Sequence, residues 1–270
     1  MRRFALAFLA LSACDSTIGD DAQTRESPNV MGAGARLAQL NNPENQRPRN
    51  DVPILVTGVS VTAVDHYDET GDGSSSGNVF VQDIVNDAEP FETCSATRCE
   101  FSGITLFDPS YNPPALRIAA GDVVDVRGQY EEFPGPAGNE FNPGETLPEI
   151  VGGTVSLRFE HTTPTPVIID LADLLDYETG RKWIGMLVSV ENVSLFDDAS
   201  GGSSGRFRAR LNAGPGVAIA NLPTVTNALF PLQDANLGLT RGATFASITG
   251  IVQYFYSFSI SPRSVEDLQP

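Results

Sequence analysis

The sequence predicts an all-β protein built from two copies of one small β module, with a short connecting helix and a disordered tether in front. Three observations lead there. From Val52 onward, runs rich in β-branched residues alternate apolar and polar positions with a period of two, the pattern of half-buried strands. The 270 residues include 25 glycines and 19 prolines, enough turn-formers to separate many short strands. The order of strands, loops and glycines in the second half also repeats that of the first.

The chain begins MRRFALAFLALSAC. Arg2 and Arg3 give a cationic start, Phe4 to Leu11 an apolar run, and small residues lead into Cys14. The apolar run is far shorter than the roughly 20 residues a membrane-spanning helix needs, so it reads as a secretion signal. Leu11-Ser12-Ala13-Cys14 resembles the lipobox of bacterial lipoproteins, which implies a signal peptide over 1–13 and lipidation of Cys14. The alternative is an ordinary signal peptide with an incidental cysteine. Residues 14–50 are polar and lack a sustained period, and read as a lipidated cysteine and flexible tether. As a coil such a stretch would span about 35 Å, and the MGAGARLAQL run over 31–40 is its one helical candidate.

The first module is expected over 51–160. Its strands are ILVTGVSVTAV (54–64), NVFVQD (78–83), GITLF (103–107), DVVDVRGQY (122–130) and a strand pair or bent strand over 147–159, interrupted by Gly152 and Gly153. Val59, Val61 and Ala63 are expected to face inward. The second module is expected over 161–270. There residues 182–193 answer the first strand, 197–205 the first loop and RFRARL (206–211) the second strand. GATFASITGIVQY (242–254) answers GDVVDVRGQY (121–130): a turn glycine, a strand, a second glycine and a final aromatic. Between the modules, 168–177 sets Leu171, Leu174 and Leu175 at helical spacing, with Asp170 as N-cap and Gly180 as stop.

Charge narrows the function classes. Seventeen basic against 34 acidic residues give −17, and removal of 1–13 takes away Arg2 and Arg3 and no acid, for about −19. Such a surface repels phosphate backbones and offers no polybasic patch to a membrane, so the lipid is the evident anchor and nucleic acid is disfavoured as a partner.

The remaining cysteines, Cys94 and Cys99, lie in a polar stretch and in an oxidising compartment read as a small disulfide stapling a hairpin. A two-thiol metal site with no histidine nearby is the competing reading. Asp65, Asp68, Glu69 and Asp72 gather on a glycine-rich loop, and hard oxygen ligands of that kind suit calcium. Their spacing is not that of an EF-hand, and a solvated acidic turn competes with the metal reading; no other cofactor is implied. His66 and His161 lie far apart, and no serine sits in a Gly-x-Ser-x-Gly elbow, so catalysis is not expected. Arg206, Arg208 and Arg210 alternate along one predicted strand, which sets three guanidinium groups on one side, ready for a phosphate, carboxylate or acidic glycan. Pairing with neighbouring acids is the other reading of the same residues. Tyr254, Phe255, Tyr256 and Phe258 are either a stacking platform or barrel packing.

The succession of a long curved strand, a loop, GNVFVQD, GITLF and GDVVDVRGQYEEF followed by LPEI resembles the oligonucleotide/oligosaccharide-binding (OB) fold. It is similar in particular to the OB modules that accompany bacterial secreted nucleases, and the closing PRSVEDL (262–268) is similar to the tail of such modules. The resemblance implies two tandem OB-like barrels whose ligand faces lie on strands 2 and 3. By position those faces hold Phe80 and Gln82 in the first module, and Phe207 with Arg206, Arg208 and Arg210 in the second. The expected function is non-catalytic: a lipid-anchored protein of the bacterial cell envelope, on the periplasmic face or the cell surface, that binds an envelope protein or a glycan. A nucleic-acid-binding accessory protein and an unrecognised hydrolase are the alternatives.

Overall fold

The computed structural model describes residues 33–45, 50, 52–83, 99–160, 163–201, 206–235 and 237–270. Cys14, Cys94, His161 and the signal sequence lie outside them. The described chain is mostly β, in two sheets. The first sheet holds β1 (Ala33–Ala35), β2 (Val52–Val64), β3 (Val79–Asp83), β4 (Gly103–Leu106), β5 (Ser110–Asn112), β6 (Val123–Phe133) and β7 (Leu147–Phe159). The second holds β8 (Val167–Ile168), β9 (Leu187–Ser194), β10 (Ser200–Gly201), β11 (Phe207–Arg210), β12 (Thr224–Thr226), β13 (Thr244–Tyr254), β14 (Phe258–Ser261) and β15 (Leu268–Gln269). The passage between sheets thus falls between Phe159 and Val167.

Five strands of the first sheet close on themselves. β2 pairs antiparallel with β3, β3 with β4, β4 runs parallel to β7, β7 pairs with β6, and β6 returns to β2. Closure removes the exposed edges that an open sheet of these strands would present. One strand can serve both ends of the circuit because β2 is bent: its register with β6 shifts between Val56 and Val59, where Gly58 takes a positive φ of 68°. The Gly58 N–H donates to Asp125 Oδ1 at 2.9 Å. A second shift, against β3, falls between Val61 and Ala63. Val59 and Val61 therefore enter the barrel core, whereas Ala63 is turned away from it into a separate cluster with Phe80, Leu187 and Ile251. Of the two readings of 147–159, the bent strand holds: β7 is one strand, with its register against β6 shifting at Gly152 and Gly153, where Gly152 takes a φ of 59°.

Residues 33–41 fold onto this barrel, so they are not part of the flexible tether expected over 14–50. β1 pairs parallel with Leu55 and Val56, and α1 (Leu37–Asn41) buries Leu37 and Leu40 in the barrel core. Each leucine withdrawn from water contributes about 2 kcal/mol. The helix start is held by the last residue of β3, where the Asp83 carboxylate accepts from Leu37 N–H (3.0 Å) and Ala38 N–H (2.9 Å).

The second sheet repeats the pairing order: β11 with β12 antiparallel, β12 with β14 parallel, β14 with β13 and β13 with β9 antiparallel. β9 reaches β11 through a bridge between Leu195 and Leu211 and through Phe196 N–H to Arg210 O at 2.8 Å. The strand expected over 182–193 begins only at Leu187, because Arg181–Trp183 forms a 3-10 turn. The connecting helix is likewise broken into a 3-10 turn (Leu171–Leu174) and α2 (Tyr177–Gly180). Asp170 caps the first by accepting from Ala172 N–H, and Asp176 caps the second by accepting from Thr179 N–H. Two caps six residues apart start two helices where one was expected.

Candidate functional site

Two cross-strand lattices can be superposed by register. In the first half Phe80 lies opposite Thr105, Val81 opposite Ile104 and Gln82 opposite Gly103. In the second Arg208 lies opposite Thr226, Ala209 opposite Val225 and Arg210 opposite Thr224. Val81, Ile104, Ala209 and Val225 all face a core, so Phe80 and Gln82 correspond to Arg208 and Arg210 on the outer faces.

These two faces meet opposite fates. Phe80 and Gln82 are each only 3% exposed. Phe80 packs with Ala63 against Leu187 of β9 and Ile251 of β13, and Gln82 Oε1 accepts from Leu187 N–H at 3.0 Å. Beside them Gly103 leaves no room for a side chain: a Cβ there would lie 2.5 Å from Met186 Cγ and 2.6 Å from the Gly185 carbonyl carbon. The strand-2/3 face of the first barrel is therefore occupied by the second half of the same chain. The expectation that Phe80 and Gln82 meet an external ligand is corrected accordingly.

The corresponding face of the second half is open. Arg208 is exposed, and among the described residues it has no ion-pair partner. Arg206, 57% exposed, donates from Nε to Glu69 Oε1 at 2.9 Å, and Arg210 Nη1 lies 2.5 Å from Asp197 Oδ2. Both carboxylates come from loops that follow a module's first strand, one from each half. Phe207, grouped with the arginines from sequence, instead packs its ring against the second core.

The acidic loop does not converge on a cation. Asp68 accepts from the backbone N–H groups of Gly71, Asp72 and Gly73, which hold its carboxyl below the usual range. Asp72 accepts from Ser74, Asp65 from Tyr67 N–H and Ser76 Oγ, and Glu69 faces Arg206. Among the described residues no group of three or more His, Cys, Asp or Glu side chains could hold a metal ion, so the calcium expectation is withdrawn. The aromatic run divides: Tyr254 and Phe258 are core, while Phe255 and Tyr256 are 49% and 40% exposed. Both exposed rings lie edge-on to Phe141 of the first half, at 5.6 and 5.1 Å, so the run is largely a clasp between halves.

Several polar residues escaped the sequence reading. Arg181, buried between the halves, donates to Glu132 Oε1 (2.7 Å) and to Tyr177 Oη (2.7 Å), and Glu132 also accepts from Tyr130 Oη and Thr146 Oγ1. Glu149, opposite Glu131 in the register, is pushed up to about 7 by burial and then by the Glu131 charge. Burial likewise raises Asp83 to about 6 against the opposing pull of the Ala38 and Leu37 N–H groups. Their sequence neighbours carry no signal of this, since a strand-end acid looks alike whether solvated or buried. His66 lines a cleft of about 280 Å³ with Thr62, Ile118, Leu229 and Arg263, but the Arg263 guanidinium is already engaged by Asp267 and Thr62 O.

The sequence matches no known family model, and no curated protein aligns with it.

Proposed function

We propose that this chain is a non-catalytic binding protein of the bacterial cell envelope, anchored through lipidated Cys14, in which two OB-like barrels have divided their labour. The strand orders described above support the OB reading of both halves, because each runs first, second, third, fifth, fourth and back to first with the third and fifth strands parallel. The observation that carries the functional reading is the contrast between equivalent faces: Phe80 and Gln82 are sealed by the second half, while Arg208 stands open to solvent. The first barrel acts as scaffold and the second presents the ligand face. Its arginines, and the absence of an exposed aromatic among the described residues of its strands, favour a carboxylate-bearing partner over a stacked polynucleotide. A disulfide between Cys94 and Cys99 belongs to the same reading; Cys99 is buried in the second core cluster.

Growth of an expressing bacterium with an alkyne-tagged fatty acid tests the anchoring. The full-length chain is expected to carry label and sediment with membranes, and Cys14→Ser to lose both. An unlabelled, soluble wild-type chain overturns the envelope assignment.

A further inference from the structure

We propose that the outer face of β11, with Arg206, Arg208 and Arg210 in a row, receives an acidic segment of a partner protein, and that Glu69 acts as a built-in occupant of one end of that site. The inference rests on the binding reading above and narrows it to one class of partner.

Four observations carry it. Arg208 and Arg210 replace Phe80 and Gln82 at equivalent register positions, so a face that docks neutral protein surface in the first half has become cationic in the second. What the flanking guanidinium groups already meet are protein carboxylates: Arg206 meets Glu69 at 2.9 Å and Arg210 meets Asp197 at 2.5 Å. The first of these comes from the other half, on the acidic loop after β2, so a carboxylate from a separate segment already seats against the arginine row. Arg208, between the two pairs, is exposed and lacks an ion-pair partner among the described residues, which leaves the centre of the face for a carboxylate supplied from outside. Sugar rings and nucleobases are bound by stacking on aromatic faces, but among the described residues the exposed large hydrophobics Phe107, Ile168, Ile219, Phe255, Tyr256 and Val265 all lie off β10, β11 and β12. An acidic protein segment fits what remains.

The test uses the whole mature chain with Cys14→Ser and a fluorescein-labelled, Glu/Asp-rich dodecapeptide, with binding read by anisotropy. Oligo-dT and polygalacturonate are competing probes. The expected result is saturable peptide binding that weakens with salt, falls roughly tenfold or more in Arg208→Glu, and tightens about two- to fivefold in Glu69→Ala, the range for freeing an exposed ion pair. Unchanged circular dichroism and melting temperature keep the exposed Arg208→Glu variant interpretable. Peptide binding indifferent to Arg208→Glu, preference for oligo-dT or polygalacturonate, or no binding of any probe overturns the inference. Because none of these measurements involves lipidation, loss of the site would leave the envelope assignment to stand or fall by the fatty-acid label.

Discussion

Gly128 and Gly250 are the second glycines of the two repeat motifs, and both exist because another strand presses against them. A Cβ on Gly128 would lie 2.5 Å from Ile150 Cγ2, and one on Gly250 would lie 2.5 Å from Ser261 O. The first obstacle is a methyl of the buried, β-branched Ile150, with Val151 O next at 3.0 Å; the second is backbone outright. Gly128→Ala is expected to cost about 1–3 kcal/mol and Gly250→Ala more, both read by urea denaturation. Gly153→Ala, whose nearest neighbour would be 3.6 Å away, serves as the near-neutral comparison. Equal effects at all three positions would contradict the close approach.

Buried acids set the pH response at the same scale. Glu149 titrates near 7 and Asp83 near 6 in the folded chain, against ordinary values of 4.5 and 3.8. The folded state therefore binds these protons more tightly than the unfolded state. Their contribution is fully present below about pH 4 and is lost as pH rises, through 6 for Asp83 and through 7 for Glu149. For Glu149 it is on the order of 1–3 kcal/mol. Within the window set by these two groups, Tm is expected to fall from pH 5 to pH 8. Glu149→Gln should flatten the upper part of that fall and raise Tm at pH 8. A Tm that rises between pH 6 and 8, unaltered by the substitution, would refute the burial of this carboxyl.

Among the elements, α1 shows how a short helix is made by tertiary contacts. Five residues cannot sustain a helix alone; Leu37 and Leu40 are held by the barrel core and the first N–H groups by Asp83. Leu40→Ala is expected to cost about 2–5 kcal/mol in chemical denaturation, as for a core leucine, whereas a tether residue would cost nothing measurable. The strands themselves were legible, because alternation and turn glycines are local properties: β3, β4, β6 and β13 begin and end within a few residues of the sequence expectation. The connecting helix was not, since Leu171, Leu174 and Leu175 keep helical spacing whether or not Asp176 restarts the helix between Leu175 and Gly180.

At the scale of the molecule, the two halves are joined by packing that the sequence could not reveal. An outward-facing Phe80 and Gln82 look the same whether a ligand or another part of the chain will cover them. The repeat was visible, and so was the arginine strand, but the cover of the first face and the Glu69–Arg206 pair depend on contacts between residues more than 100 positions apart. Backbone meets backbone where Gly185, at a φ of 78°, would bring a Cβ within 2.7 Å of Ile104 N. Arg181 and Glu132 close the polar side of the junction. Removing the Glu132 carboxylate would leave the buried Arg181 guanidinium without its counter-charge, the kind of change that costs about 3–5 kcal/mol.

Hydroxyl-radical footprinting of the native chain tests this division of faces most directly, since it reads side-chain exposure residue by residue. Phe80, Leu187 and Ile251 are expected to resist oxidation together until the chain is unfolded, while Phe255 and Tyr256 are modified at once. Oxidation of Phe80 at the rate of Phe255 in the folded protein would mean that the first face is open, and the account of a sealed scaffold barrel beside a ligand-presenting one would be wrong.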